Sequence, residues 1–120
     1  MIKQKTFDKI FFVYRYLRDS LIKPARVDLS DNSFVILFIK EFNAKHDENL
    51  YGIKFCDELE PLLNLMCSKL ILQRTKIALN PWNQTRKTVW SYSLTEYADT
   101  IISNYQDYFL NQMIKKSRLR

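Results

Sequence analysis

Apolar residues in the first 45 positions follow two helical patterns. The first pattern predicts a helix over residues 6–22 that Pro24 ends, since proline disfavours the helical conformation in the residue before it. Its apolar stripe comprises Phe7, Ile10, Phe11, Tyr14, Leu17 and Leu21. The second pattern starts after Ser30 or Asp31, and its early positions, 34–39, are entirely apolar. Helix is favoured there over a buried strand because the pattern continues through Phe42 and Ala44, while residues 26–29 could add a short strand.

A third helix is predicted from Pro61 onward, because proline suits the first turn, where its missing N–H is not needed. Polar positions in this stretch are few: Asn64, Ser68 and Lys69. The apolar positions expected to face inward are Leu62, Leu63, Leu65, Met66 and Leu70.

Two strand patterns follow, over residues 70–79 and 89–94. The second alternates Trp90, Tyr92 and Leu94 with smaller residues, as a half-buried strand does. Asn80, Pro81 and Asn83 between the strands are typical turn residues. Residues 73–88 contain no Asp or Glu and four cations: Arg74, Lys76, Arg86 and Lys87. The pattern therefore predicts a basic hairpin that suits phosphate groups.

Ser93 and Glu96 have the spacing of a capping box, which predicts the start of a long C-terminal helix. The apolar positions of this helix extend from Ala98 to Met113, and a basic tail occupies residues 115–120. In the first helix, Phe12, Val13 and Tyr16 widen the apolar surface beyond one stripe, which indicates either deep burial or contact with a partner subunit.

Charge is segregated along the chain. The formal net charge is +6, made up of +4 in residues 1–28, −4 in residues 29–68 and +6 in residues 69–120. A polyanion would therefore meet the two ends and the hairpin, whereas a possible protein partner would meet the acidic middle segment.

Length and composition predict one domain over residues 1–120, divided into an N-terminal helix and extension (1–28), a core (29–94) and a C-terminal helix with a basic tail (95–120). With one His, with Cys56 and Cys67 widely spaced, and with no Gly-rich phosphate loop, we expect no catalytic site, no metal and no cofactor. The apolar runs are too short for a signal peptide or a membrane span, which predicts a cytoplasmic protein without a membrane partner.

The order of these motifs resembles winged helix-turn-helix DNA-binding proteins of the PadR and MarR type over roughly residues 33–110. Residues 59–66 (LEPLLNLM) followed by 69–71 (KLI) look like the PadR recognition helix and the "GLI" step into the first wing strand. Residues 92–96 (YSLTE) look like the "Y-x-L-T-E" that closes the wing in both families, and residues 50–53 (LYGI) are a fainter echo of the PadR "HGYEI" step. Lys69 stands where those families place Gly.

The resemblance implies a mainly α fold with a small β hairpin (α+β), a winged helix-turn-helix with additional N- and C-terminal helices. It also implies a homodimer, formed through the terminal helices, that binds double-stranded DNA as a transcriptional repressor or as a plasmid- or virus-type DNA-site-binding adaptor. On this hypothesis the hairpin cations contact phosphates or the minor groove, and the polar positions of the third helix reach base edges. The expected site is therefore Asn64, Ser68, Lys69, Arg74, Lys76, Arg86 and Lys87.

One feature of the sequence conflicts with a dominant role for the third helix in DNA binding. Asp57, Glu58 and Glu60 crowd its start, and these anions favour the helix dipole but repel phosphate. Either the hairpin and the termini supply most of the DNA affinity, or the domain is a winged-helix protein-interaction module of a larger assembly. RNA binding is less favoured, because the aromatic residues follow the periodicity of a core and do not line one strand.

Overall fold

The computed structural model describes residues 2–21, 26–27, 32–46, 59–78 and 88–118. These residues form an α+β structure in which a two-stranded antiparallel sheet lies between the third and fourth helices in chain order. The elements are α1 (Gln4–Arg18), α2 (Asn32–His46), α3 (Leu59–Ser68), β1 (Leu72–Ala78), β2 (Thr88–Leu94) and α4 (Ala98–Arg118). The predicted class, mainly α with a small β hairpin, is confirmed.

Helix α1 buries the predicted stripe but is shorter at its C-terminal end than expected. Phe7, Ile10, Tyr14 and Leu17 are buried, together with Val13. The helix ends at Arg18, several residues before Pro24 would end it. Its last turn is completed by a hydrogen bond from the Asp19 N–H to the Arg15 carbonyl. Leu21 therefore lies beyond the helix and is fully exposed, so its place in the predicted stripe was wrong.

Segment 32–46 is helical, as the sequence favoured over the strand alternative. Phe34, Val35, Phe38 and Ile39 are buried at the i, i+1, i+4, i+5 spacing of one helix face. The rings of Phe34 and Phe38 pack against α1. The ring centroid of Phe34 lies 4.8 Å from that of Tyr16, and the ring centroid of Phe38 lies 5.8 Å from that of Phe12. The same run also exposes apolar surface, since Ile36 and Leu37 are about half exposed.

Helix α3 starts at Leu59, with Pro61 in its first turn as predicted, and buries Leu59, Leu62, Leu63 and Met66. Its C-terminal end is closed by a pair of backbone hydrogen bonds, from the Ile71 N–H to the Met66 carbonyl (2.9 Å) and from the Leu70 N–H to the Cys67 carbonyl (3.1 Å). This Schellman arrangement requires a left-handed residue, which is Leu70 with φ of 64°.

Leu70 was expected to face the core and instead is 58% exposed. The reason is the reversal of the backbone at this residue, which turns its side chain outward and brings Ile71 inward. Ile71 is completely buried beside the equally buried Met66. Leu65, also expected inside, is only partly buried.

Strands β1 and β2 pair from Leu72 opposite Leu94 to Ala78 opposite Thr88. Val27 adds an isolated antiparallel bridge on the far side of β2, where its N–H and carbonyl both bond to Tyr92 at 2.9 and 2.8 Å. Of the short strand that residues 26–29 could add, the described residues 26–27 show this one bridge, and residues 28–29 lie outside the described residues. At Tyr92, β2 therefore has a backbone partner on both of its edges. Ser91, on the side expected to be polar, is buried with 4% exposure.

The start of α4 is fixed by Thr95, not by Ser93 as the capping-box spacing predicted. The Thr95 hydroxyl accepts a hydrogen bond from the Tyr97 N–H at 3.3 Å and donates one to the Leu70 carbonyl, while the Thr95 N–H donates to the Ile71 carbonyl. Ser93 remains in β2 and accepts a hydrogen bond from the Gln73 side chain. Thr95 can therefore satisfy the start of α4 and the turn after α3 together.

Helices α1 and α4 pack antiparallel along an aromatic seam. The Phe7 ring centroid lies 5.1 Å from Phe109 and 5.7 Å from Tyr105, and the Tyr14 hydroxyl donates a hydrogen bond to Asp99 near the start of α4. Ala98 and Ile102 complete the buried face of α4. Among the described helices none is both long and apolar enough to cross a membrane.

Candidate nucleic-acid interface

The described cations of the hairpin lie on one face of the sheet. Arg74 and Lys76 are two positions apart on β1, so both point to the same side, and the register places Tyr92 opposite Arg74 and Trp90 opposite Lys76. We call these four residues the basic sheet face. Along this face burial decreases toward the hairpin loop, from Tyr92 with 1% exposure to the half-buried Trp90.

Trp90 holds both cations against its ring. The Arg74 Cζ lies 4.2 Å from the Trp90 ring centroid, and the Lys76 Nζ lies 5.1 Å from it. Both distances are within the range of cation–π attraction, which is worth about 0.5–1 kcal/mol at exposed positions. The two side chains are exposed, so their charged groups remain accessible to an anion while the indole restricts their conformations.

Arg74 also connects the sheet to α3. Its Nη1 donates a hydrogen bond to Asn64 Oδ1 at 3.2 Å, and the Tyr92 hydroxyl donates to the same oxygen at 3.3 Å. Burial raises the pKa of Tyr92 above its usual value, so this hydroxyl remains a hydrogen-bond donor at neutral pH. The Asn64 side chain is thereby held at the junction of α3, β1 and β2.

The other polar side chains in and beside α3 lie at its two ends. Ser68 is exposed, and its hydroxyl donates to the Leu65 carbonyl at 2.7 Å. Lys69 follows the helix and is exposed. Glu60, in the first turn, is exposed as well, so the anionic start of α3 that the sequence indicated is present at the surface. Asp57 and Glu58 lie outside the described residues.

The structure thus brings together three of the seven residues expected at the site: Asn64, Arg74 and Lys76. Ser68 and Lys69 are exposed at the other end of α3. Arg86 and Lys87 lie outside the described residues, as does the segment between the strands that contains Trp82.

Trp90 and Tyr92 are two components of this surface that the sequence had assigned only to strand alternation. Both organise the cations, but the signal for that role is the pairing of β1 with β2. Trp90 lies on the same face as Lys76 because the strand register pairs these two positions. The sequence did not predict that register, since the length and the turn residues of the connecting loop allow more than one pairing.

The described cations and amide groups of this surface can bind an anion or accept and donate hydrogen bonds. Cys67, on the partly buried side of α3, is a free thiol whose pKa is raised by burial, which keeps it protonated and weakly nucleophilic. No group of three or more His, Cys, Asp or Glu side chains among the described residues is arranged to hold a metal ion.

Comparison with known proteins gives no further assignment: no protein-family model, no curated protein and no solved structure matches this chain.

Proposed function

We propose that this chain is a winged-helix DNA-binding protein that acts as a homodimer, as a transcriptional repressor or a DNA-site-binding adaptor of a mobile element. The observation that carries the proposal is the basic sheet face, where Arg74 and Lys76 are held against Trp90 and Arg74 is hydrogen-bonded to the exposed face of α3. Cations that are ordered before binding lose less conformational entropy when they meet phosphates.

The order of elements supports a winged helix as the finer description of the fold. Helix α1, the Val27 bridge, α2, α3 and the β1–β2 hairpin follow one another in the sequence of a three-helix core with a three-stranded sheet, and the loop between β1 and β2 is the wing. In this description α3 is the recognition helix. The basic sheet face lies at the base of the wing, beside Asn64 in the middle of that helix.

The position of Glu60 indicates different roles for the hairpin and for α3 in DNA binding. An exposed carboxylate in the first turn of α3 weakens the approach of that end to phosphate, so the hairpin must supply a large share of the affinity. Asn64 and the exposed Ser68 and Lys69, which follow along the helix, then form the base-reading part of the site.

The C-terminal half of α4 supports the homodimer. Leu110, Met113 and Ile114 recur at helical spacing and are 55%, 66% and 42% exposed. The N-terminal end of α1 packs near Phe109, and α4 continues beyond it to Arg118, so α1 leaves much of this stripe exposed. A second α4 would bury it and place two wings along one duplex.

Salt-dependent binding to duplex DNA tests the proposal. Arg74→Ala with Lys76→Ala removes two phosphate contacts, which is expected to lower affinity about 10- to 100-fold near 0.1 M salt and to flatten the slope of log K against log[salt] by about 1.8. The matched control is Lys40→Ala, compared with the single variants Arg74→Ala and Lys76→Ala, because it removes one cation from an exposed position in the acidic middle segment. If Lys40→Ala changes affinity and slope as much as each of these single variants does, the basic sheet face is not the binding surface.

The alternative function is a protein-interaction module, and the exposure of Ile36 and Leu37 on α2 favours it. These side chains lie in the acidic middle segment, away from the hairpin cations in sequence. If the folded protein binds no duplex even at low salt, this alternative replaces DNA binding.

A further inference from the structure

The side-chain amide of Asn64 has a fixed orientation. Its Oδ1 accepts hydrogen bonds from Arg74 Nη1 at 3.2 Å and from the Tyr92 hydroxyl at 3.3 Å. A guanidinium group has donors only, so the atom that faces it must be the amide oxygen and the flipped amide is excluded.

These two contacts use the acceptor capacity of the amide. A carbonyl oxygen has two lone pairs, and here one is directed to each donor. The amide nitrogen, Nδ2, keeps its two N–H donors, for which the described part of the chain supplies no hydrogen-bond acceptor. Because Asn64 is exposed on α3, this nitrogen is the part of the amide available to another molecule.

The consequence concerns base recognition and rests on the proposed function. An asparagine that reads adenine uses both halves of its amide, accepting from N6 and donating to N7, whereas guanine presents two acceptors, N7 and O6, in the major groove. We propose that Asn64 acts as a donor only and therefore selects guanine over adenine at the base pair it contacts. Tyr92 and Arg74 are positioning residues for this selectivity, because they occupy the oxygen that adenine would need.

The base pair in question can be located without a structure of the complex. Wild-type protein and Asn64→Ala are used to select from a pool of randomised duplexes, and the position whose preference the variant loses is the one that Asn64 reads. The expected base there is guanine, with adenine about 5- to 100-fold weaker, the range that a good base contact provides. Replacing that guanine with 7-deazaguanine, which lacks the N7 acceptor, should weaken wild-type binding and leave Asn64→Ala unaffected.

Two further variants separate the donors of Asn64 from its acceptor. Asn64→Asp keeps an oxygen for Arg74 and Tyr92 but has no N–H, so it should lose the guanine preference as Asn64→Ala does. Tyr92→Phe removes one of the two donors that fix the Asn64 oxygen, so the amide can rotate and the ratio of guanine to adenine binding should shift several-fold toward adenine. Thermal denaturation by circular dichroism verifies that each variant is folded.

The outcomes distinguish this inference from the function on which it rests. A preference for adenine at the Asn64 position, or a selection in which Asn64→Ala loses no preference at any position, overturns the inference while salt-dependent duplex binding still stands. An unchanged ratio in Tyr92→Phe overturns the positioning role of Tyr92. If folded wild-type protein binds no duplex at low salt, the proposed function fails and this inference fails with it.

Discussion

Leu70 occupies a backbone conformation that suits glycine, and this allows a quantitative test of the turn after α3. Its φ of 64° places Cβ close to the carbonyl oxygen, which costs about 1–2 kcal/mol for a residue other than glycine. Glycine carries an entropic penalty of about 0.5–1 kcal/mol on folding relative to alanine. We therefore expect Leu70→Gly to be more stable than Leu70→Ala by about 0.5–1 kcal/mol. The comparison with alanine matters because both variants lack the leucine side chain, so the partly buried surface of Leu70 cancels.

The neighbouring position supplies the control. Lys69 is exposed and has no positive φ, so glycine there gains no relief of strain. Lys69→Gly should be less stable than Lys69→Ala by about 0.5–1 kcal/mol, the reverse of the order at Leu70. Urea denaturation followed by far-UV circular dichroism gives the four free energies of unfolding.

The sign of the difference in stability between the glycine and alanine variants tests the left-handed turn at Leu70. If glycine is less stable than alanine at both positions, the left-handed turn at Leu70 is wrong. If glycine is favoured at Lys69 and not at Leu70, the turn falls one residue earlier, at the position where PadR- and MarR-type proteins carry glycine.

The remaining predictions concern the hydroxyl groups of Tyr92 and Tyr14 and the loss of stability at alkaline pH. Tyr92→Phe should lower the free energy of unfolding by about 1 kcal/mol, because the bond to Asn64 is lost, and denaturant titration measures this; no loss would mean that the bond is absent in solution. Tyr14→Phe should cost about 1–2 kcal/mol in the same assay, since its partner Asp99 is charged, and an unchanged midpoint would contradict the link between α1 and α4. Burial raises the pKa of Tyr14 and of Tyr92, so the unfolded chain loses these protons first and stability should fall as pH rises above about 10. Each Tyr→Phe variant should show a shallower fall than the wild type, and an identical fall in all three proteins would refute the assignment.

Local patterns in the sequence predicted the elements because each element is defined by short-range spacing. The stripe from Phe7 to Leu17 identified α1, and Pro61 located the first turn of α3. The run at residues 34–39 was ambiguous by composition, and only its length favoured helix. The end of α1 was misplaced because Leu21 fits the helical spacing, yet the chain leaves the helix three residues before it.

The site was less predictable, since its contacts join residues that are distant along the chain. Asn64 was expected to reach base edges, but nothing in its neighbourhood indicated that Arg74 and Tyr92, 10 and 28 positions later, would occupy its oxygen. Likewise, the spacing to Glu96 predicted Ser93 as the cap of α4, and Ser93 instead lies in β2. Thr95 is the observed cap because its hydroxyl also reaches the Leu70 carbonyl, a contact that exists only after α3 and α4 meet.

The central claim, that the basic sheet face meets DNA, is tested most directly by an NMR titration of the labelled protein with a short duplex at low and high salt. The account predicts that the Trp90 indole N–H, the Asn64 side-chain amide and the backbone amides of β1 shift at low salt, and that these shifts disappear at high salt. Shifts confined to α2 around Ile36 and Leu37, or no shifts at low salt, would contradict it.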